Sequence, residues 1–247
     1  MKNKGFTLIE LMIVIAIIAV IAAIAIPGLL AAQRSSNERN ASASLKSIAT
    51  AEADFRSSDR EGNLINDFWT GDVAGLCIIR PTDGSAVVAA DAIANGIKLI
   101  EPSIAAADGS ATIGLALYTT EQTAANRPFT TYQGKAGFAY RSAVDDQVLP
   151  VGSFRFDTDA TANYGACHCM DRFAFLAYPA TLSSGKLAFV LNAEGTMYKL
   201  NLAATYVSGY LPLVAGSSSA VVASGSADMN NGNYPVNPSA SGYSKMD

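Results

Sequence analysis

At 247 residues the chain has room for a membrane-spanning helix plus one compact domain, or at most two small ones. Half of it is hydrophobic and only 15% charged, but the apolar excess sits in the first 32 residues. That distribution excludes a multispanning membrane protein and leaves the remainder an ordinary globular domain rich in Ala, Gly and Ser. The net charge of −4 argues against a surface that coats nucleic acid, and no nucleic-acid partner is expected.

Residues Met1–Gly5 carry Lys2 and Lys4, and Leu11–Ala32 then gives 22 consecutive residues without a charge. As a helix this run spans roughly 33 Å, enough to cross a bilayer. Lysines ahead of the span and none inside it put the N-terminus in the cytoplasm and everything after Ala32 on the far side. A secretory signal would be shorter and absent from the product, whereas this run continues directly into an amphipathic segment. There Ala41, Leu45, Ile48, Ala51 and Phe55 recur at steps of three or four, so the spacing predicts one rod reaching about Ser57. Arg34, Arg39 and Lys46 then read as a solvated face of that rod.

Glu10 breaks the apolar logic. It stands among Phe6, Leu8, Ile9, Leu11 and Met12, where a lone carboxylate costs up to roughly 2.5–3.5 kcal/mol in hydrocarbon and therefore needs a partner. Cleavage between Gly5 and Phe6 would create an α-amino group one helical turn away, on the same chain or on a neighbour.

The segment Lys4-Gly5-Phe6-Thr7-Leu8-Ile9-Glu10, followed by its long apolar run, resembles the prepilin cleavage and methylation signature shared by type IV pilins and the pseudopilins of type II secretion. The resemblance covers about the first 30 residues. It implies that a prepilin peptidase cuts after Gly5, that Phe6 is N-methylated, and that Glu10 pairs with the N-terminus of an adjacent subunit. Pro27 matches a proline common in pilins, and with Gly28 beside it a kink or local melting of the helix is expected. The chain thus divides into a leader at 1–5, a transmembrane and assembly helix at 6–32, its amphipathic continuation at 33–57, a head at 58–214 and a tail at 215–247.

Beyond the rod, Ser58–Gly75 is polar and Gly-containing, as a helix-ending loop requires. Strands are predicted at Leu76–Arg80, Ile113–Tyr118, Ala136–Arg141, Val151–Phe156, Phe173–Tyr178, Leu187–Asn192 and Thr196–Leu202, with a hairpin turn at Ala193-Glu194-Gly195. Ala86–Ile100 is read as a short helix. A long helix followed by antiparallel strands defines an α+β fold in which a sheet packs across the helix, as the pilin resemblance also implies. After Ala215 the composition turns to Ser, Gly, Asn and Pro, which predicts a flexible tail.

The chemistry-bearing residues of the head have bland competing explanations. Asp59, Glu61, Asn63 and Asp67 alternate in the manner of a calcium loop, but Gly62 stands at the fourth position rather than the sixth and Thr70 replaces the bidentate Glu at the twelfth. A solvated turn at the helix end is the preferred reading, and calcium is the one cofactor the pattern admits. Cys77, Cys167 and Cys169 lie on the oxidising side of the membrane, which favours a disulfide from Cys77 to Cys167 or Cys169 over a zinc set completed by His168. His168 is the only histidine and is held between two cysteines, a poor basis for nucleophilic catalysis, so no enzyme is expected. Phe138, Tyr140, Phe154, Phe156, Phe173, Phe175 and Tyr178 alternate along their strands and are assigned together to one core-facing side of the sheet.

The resemblance implies a structural subunit that waits in the bacterial inner membrane with its head in the periplasm. An inner-membrane assembly platform then adds it to a periplasmic or extracellular filament of its own copies. A type II secretion pseudopilin shares the same anchor, and a membrane-tethered binding or catalytic domain that never polymerises is the rival of another class.

Overall fold

The computed structural model describes residues 5–60, 66–70, 72–77, 79, 97–108, 133–142, 145–146, 168–169, 172–181, 183–202, 233–234 and 243–246. It has the expected α+β architecture, a long N-terminal helix laid across an antiparallel sheet.

Helix α1 runs from Leu8 to Ser58, 51 residues, or about 76 Å at 1.5 Å per residue. Its composition of Ala, Leu and Ile favours helix over most of that length. It ends at Asp59, which adopts the left-handed conformation (φ 42°, ψ 59°) and donates its N–H to the Phe55 carbonyl. Arg60 then folds back on Asp54 through hydrogen bonds of 2.8–3.1 Å, fixing the exit of the chain. The melting expected at Pro27 is not seen, because α1 passes through Pro27 and Gly28 unbroken. Proline removes one hydrogen-bond donor, and the regular apolar turns on either side hold the helix across that single loss.

The main sheet contains β2 (Phe138–Ser142), β5 (Ala174–Pro179), β6 (Leu187–Asn192), β7 (Met197–Asn201) and β9 (Ser244–Lys245), in the order β2-β5-β6-β7-β9. All neighbours are antiparallel. The expected turn joins β6 to β7: the Gly195 N–H donates to the Asn192 carbonyl at 2.9 Å, and Gly195 takes the positive φ of 73° that closes a three-residue hairpin. A tighter turn precedes β2, where Ala136 and Gly137 both have positive φ between Lys135 and Phe138. Gly137 has no tolerated substitute there, since a Cβ would lie 2.5 Å from the Ser184 hydroxyl oxygen.

Four two-residue strands stand outside this sheet as two pairs. β1 (Phe68–Trp69) pairs with β4 (His168–Cys169), and β3 (Asp145–Asp146) pairs in parallel with β8 (Asn233–Tyr234). A single turn of helix, α2 (Pro102–Ala105), packs on the turn at Ala74–Cys77.

Alternation along the strands builds two cores. Phe138, Tyr140, Phe175, Ala177, Phe189, Leu191 and Met197 face α1 and meet its buried stripe of Ala41, Leu45, Ile48, Ala51 and Phe55. Ala139, Ala174, Leu176, Tyr178, Val190, Leu200, Leu202 and Tyr243 form a second buried cluster on the opposite face. Tyr178 therefore corrects the sequence expectation: it is an odd step from Phe173 and Phe175, so the pleat turns it away from the helix. Phe154 and Phe156 lie outside the described residues.

Other expectations fare unevenly. Of the strand expected at Leu76–Arg80, Leu76 and Cys77 belong instead to a 3₁₀ turn at Ala74–Cys77, Ile79 bridges to Ile97, and residues 78 and 80 lie outside the described residues. Two carboxylates explain the difference. Asp72 accepts the Gly75 N–H at 2.7 Å, and Asp108 accepts those of Val73 and Ala74 at 3.0 and 2.9 Å, which satisfies the turn's free amides and beats the β-forming run. Of the helix expected at Ala86–Ile100, only residues 97–100 are described, and these are not helical: Ile97 bridges to Ile79, the Leu99 N–H donates to the Leu76 carbonyl, and Leu99 and Ile100 form a bend. The strands expected at Ile113–Tyr118 and Val151–Phe156 lie outside the described residues. Within the segment expected as a free tail, β9 pairs with β7 and Tyr243 is buried, because the β7 edge offers unpaired backbone groups to any chain that reaches it.

The helix–sheet contact predicts that Leu45→Ala lowers the unfolding free energy by about 2–5 kcal/mol. The neighbouring exposed Lys46→Ala should change it by less than about 0.5 kcal/mol. Urea unfolding followed through Trp69 emission measures both.

Candidate assembly helix and its N-terminal cap

The first half of α1 leaves its apolar side chains in the open. Phe6 is 90% exposed, and Leu8, Ile9, Ile15, Ile18, Ile21, Ile24 and Leu29 all remain exposed around the full circumference. An exposed apolar surface of this extent is covered by lipid or by other protein when the molecule is at work. The segment is long and apolar enough to cross a membrane.

At its tip Thr7 is the N-cap in extended conformation, and its side-chain oxygen accepts the Glu10 N–H at 3.4 Å. Glu10 reaches back: its Oε2 accepts the Thr7 N–H at 2.8 Å and the Thr7 hydroxyl at 2.7 Å. This reciprocal capping box satisfies amides that would otherwise face hydrocarbon. All of these bonds to the carboxylate use Oε2, so Oε1 is left open to a further cation. Sequence reasoning had singled out Glu10 and missed Thr7, although Thr7-Leu8-Ile9-Glu10 ahead of an apolar run is itself the capping-box pattern. Gly5 and Phe6 precede the cap and lie outside the helix, exposed.

A second set of contacts joins the rod to the head. Glu38 Oε1 accepts the N–H groups of Lys186 and Leu187 at 2.7 and 3.2 Å, Asn37 donates to the Ser184 carbonyl at 3.0 Å, and Arg34 donates to the Ser183 carbonyl at 3.3 Å. These polar residues clamp the β5–β6 loop to the helix immediately before the buried stripe begins.

The remaining candidates are dispersed. Asp59 ends α1, Asp67 is fully buried at the start of the head, and Glu61 and Asn63 lie outside the described residues. Among the described residues no three His, Cys, Asp or Glu side chains gather as a metal site would require. Cys77 is a buried free thiol, and the side chains of Cys167 and Cys169, the partners expected for it, lie outside the described residues. Burial pushes its pKa up, against a smaller downward pull from Lys98, which keeps the thiol protonated and unreactive. Cys167 is outside the described residues, and the Cys169 backbone lies opposite Phe68.

The molecule is thus an α+β protein whose projecting apolar helix carries a prepilin-type methylation motif: residues 1–26 match the family described as the prokaryotic N-terminal methylation motif. The chain is similar to the type IV major pilin protein PilA of Myxococcus xanthus (strain DK1622), at 48% identity over 67 residues. That alignment takes in 27% of this chain and 30% of the relative, so the chain spans less than a third of the length of the curated relative it matches. No solved structure matches the chain.

The cap predicts a local effect. Thr7→Ala should cost about 1 kcal/mol at the helix start and speed amide exchange at Leu8–Glu10 in detergent micelles, while Thr7→Ser restores protection.

Proposed function

We propose that the chain is a structural subunit of a type IV pilus-like filament. The observation that carries this reading is the coincidence of the methylation motif with a continuous helix whose first half has no protein cover. Such a helix is held by membrane lipid before assembly and by the same helices of other copies afterwards. The similarity to a type IV major pilin supports a pilin-like subunit, and a type II secretion pseudopilin, which shares the same anchor, is the second reading.

In this reading a prepilin peptidase cuts between Gly5 and Phe6, Phe6 is N-methylated, and an inner-membrane assembly platform lifts the subunit into the growing fibre. The head sits on the periplasmic side before assembly and on the filament surface afterwards. Glu10 supplies the docking bond. The capping box orients its carboxylate, and Oε1 accepts the α-amino group of Phe6 on the adjacent subunit. Subunits related by a screw operation that does not close form an open helix, so each copy offers one donor and one acceptor in turn. No calcium or other cofactor is needed for this role.

Processing is checked by intact mass, which should show a chain beginning at Phe6 with one added methyl group. Retention of Met1–Gly5, or loss of the whole apolar helix, would reject the assignment. Glu10→Ala should insert and mature at wild-type levels yet reduce sheared filaments to background. Unchanged filament yield in that variant would remove Glu10 from the docking step.

A further inference from the structure

Glu52 is unlike any other residue on the buried face of α1. The stripe that meets the sheet steps through Ala41, Leu45, Ile48, Glu52 and Phe55, so Glu52 occupies a core position in an otherwise apolar row. Its side chain is fully buried. Oε2 accepts the Trp69 backbone N–H at 3.0 Å, and Oε1 has no hydrogen-bond partner. A buried carboxyl with one oxygen unsatisfied is tolerable as a neutral acid and strongly unfavourable as an anion.

The neighbours reinforce that preference. Asp67, two residues before Trp69, is also fully buried and presents a like charge to Glu52. α1 also packs on β1, β5 and β6, and Ala174–Pro179 and Leu187–Asn192 contain no acid or base apart from Tyr178, which lies on the far face. On β2, Arg141 alternates away from α1, and Tyr140 faces it with a hydroxyl whose pKa burial pushes up to about 12. Arg56, one turn along α1, is exposed and lies over the Phe68 ring at 4.6 Å. Asp72 and Asp108 are committed to the amides of the 3₁₀ turn.

We infer that Glu52 is a protonation-dependent latch between the rod and the start of the head. As a neutral acid it seats Asn66–Thr70, the strand β1 and its flanks, on α1 through the Trp69 amide, and on losing its proton it releases that segment. Burial first, and the Asp67 charge after it, raise the carboxyl well above the ordinary glutamate range, with the Trp69 hydrogen bond pulling the other way. The sign follows. Stability from this contact is fully present below the unfolded glutamate pKa and is lost as pH rises through the raised folded one.

The protein contains one tryptophan, and it is the latched residue, with its ring 6.4 Å from Phe55 and its indole N–H on Asp72. Emission of the full chain in detergent micelles therefore reports the latch directly. Wild type should shift to longer wavelength in one step at a pH above the ordinary glutamate range. Glu52→Gln, which keeps an acceptor for the Trp69 N–H but cannot ionise, should show no step, and Asp67→Asn should move the step to lower pH. An independent reading is amide exchange in wild type, where Trp69 should lose protection across that step while Val190 in the centre of β6 keeps it. The latch is overturned if wild type shows no step, if Glu52→Gln titrates like wild type, or if Trp69 and Val190 lose protection together.

Discussion

One helix has to satisfy two solvents. The rest of the structure depends on where α1 passes from one to the other. Up to about Leu30 its apolar side chains project in every direction, which suits lipid or a ring of identical helices. From Arg34 the pattern narrows to a single row at steps of four and three: Arg34, Glu38, Ala41, Leu45, Ile48, Glu52 and Phe55. The row's polar head grips the β5–β6 loop and its apolar body enters the aromatic face of the sheet. Because the helix does not break between these halves, rotation of the membrane segment and rotation of the head are the same coordinate.

Much of this was legible in the sequence, for identifiable reasons. The rod, its buried stripe and the strands β5, β6 and β7 declare themselves through periods of 3.6 and 2, and the Ala193-Glu194-Gly195 turn through its glycine. Where reading failed, the deciding groups were distant in sequence or the register was miscounted. Leu76–Arg80 looks like a strand until Asp108 is brought to the amides of Val73 and Ala74. Tyr178 was assignable by parity alone and was grouped with aromatics an odd step away. Thr7 is legible as a capping residue from Thr7-Leu8-Ile9-Glu10 ahead of the apolar run. No local pattern marks Glu52 as buried, since an acid in a helix is ordinarily a solvated one.

Carboxylates do unusual service in this head. Glu38, Glu52, Asp72 and Asp108 each accept backbone N–H groups from turns, loop ends or short strands at the margins of the main sheet. Loops and short turns leave amides without partners, and a carboxylate is the strongest acceptor a side chain can offer them. The head thereby fastens irregular connections to a helix and sheet built mainly of alanine and aromatic side chains. At Glu52, Asp72 and Asp108 the carboxylates are buried, and at Glu38 half-buried, so in these four places acidic side chains serve as scaffolding.

The seating of the sheet along the rod also has a mechanical meaning. The contacts from Glu38 to Phe55 are spread lengthwise on one face of α1, so a pull on the head parallel to the rod loads them in shear, all at once. A sideways pull would instead open them singly from one end. Shared loading resists far larger forces than sequential peeling for the same set of contacts, so the rod and head are joined most strongly along the axis of α1.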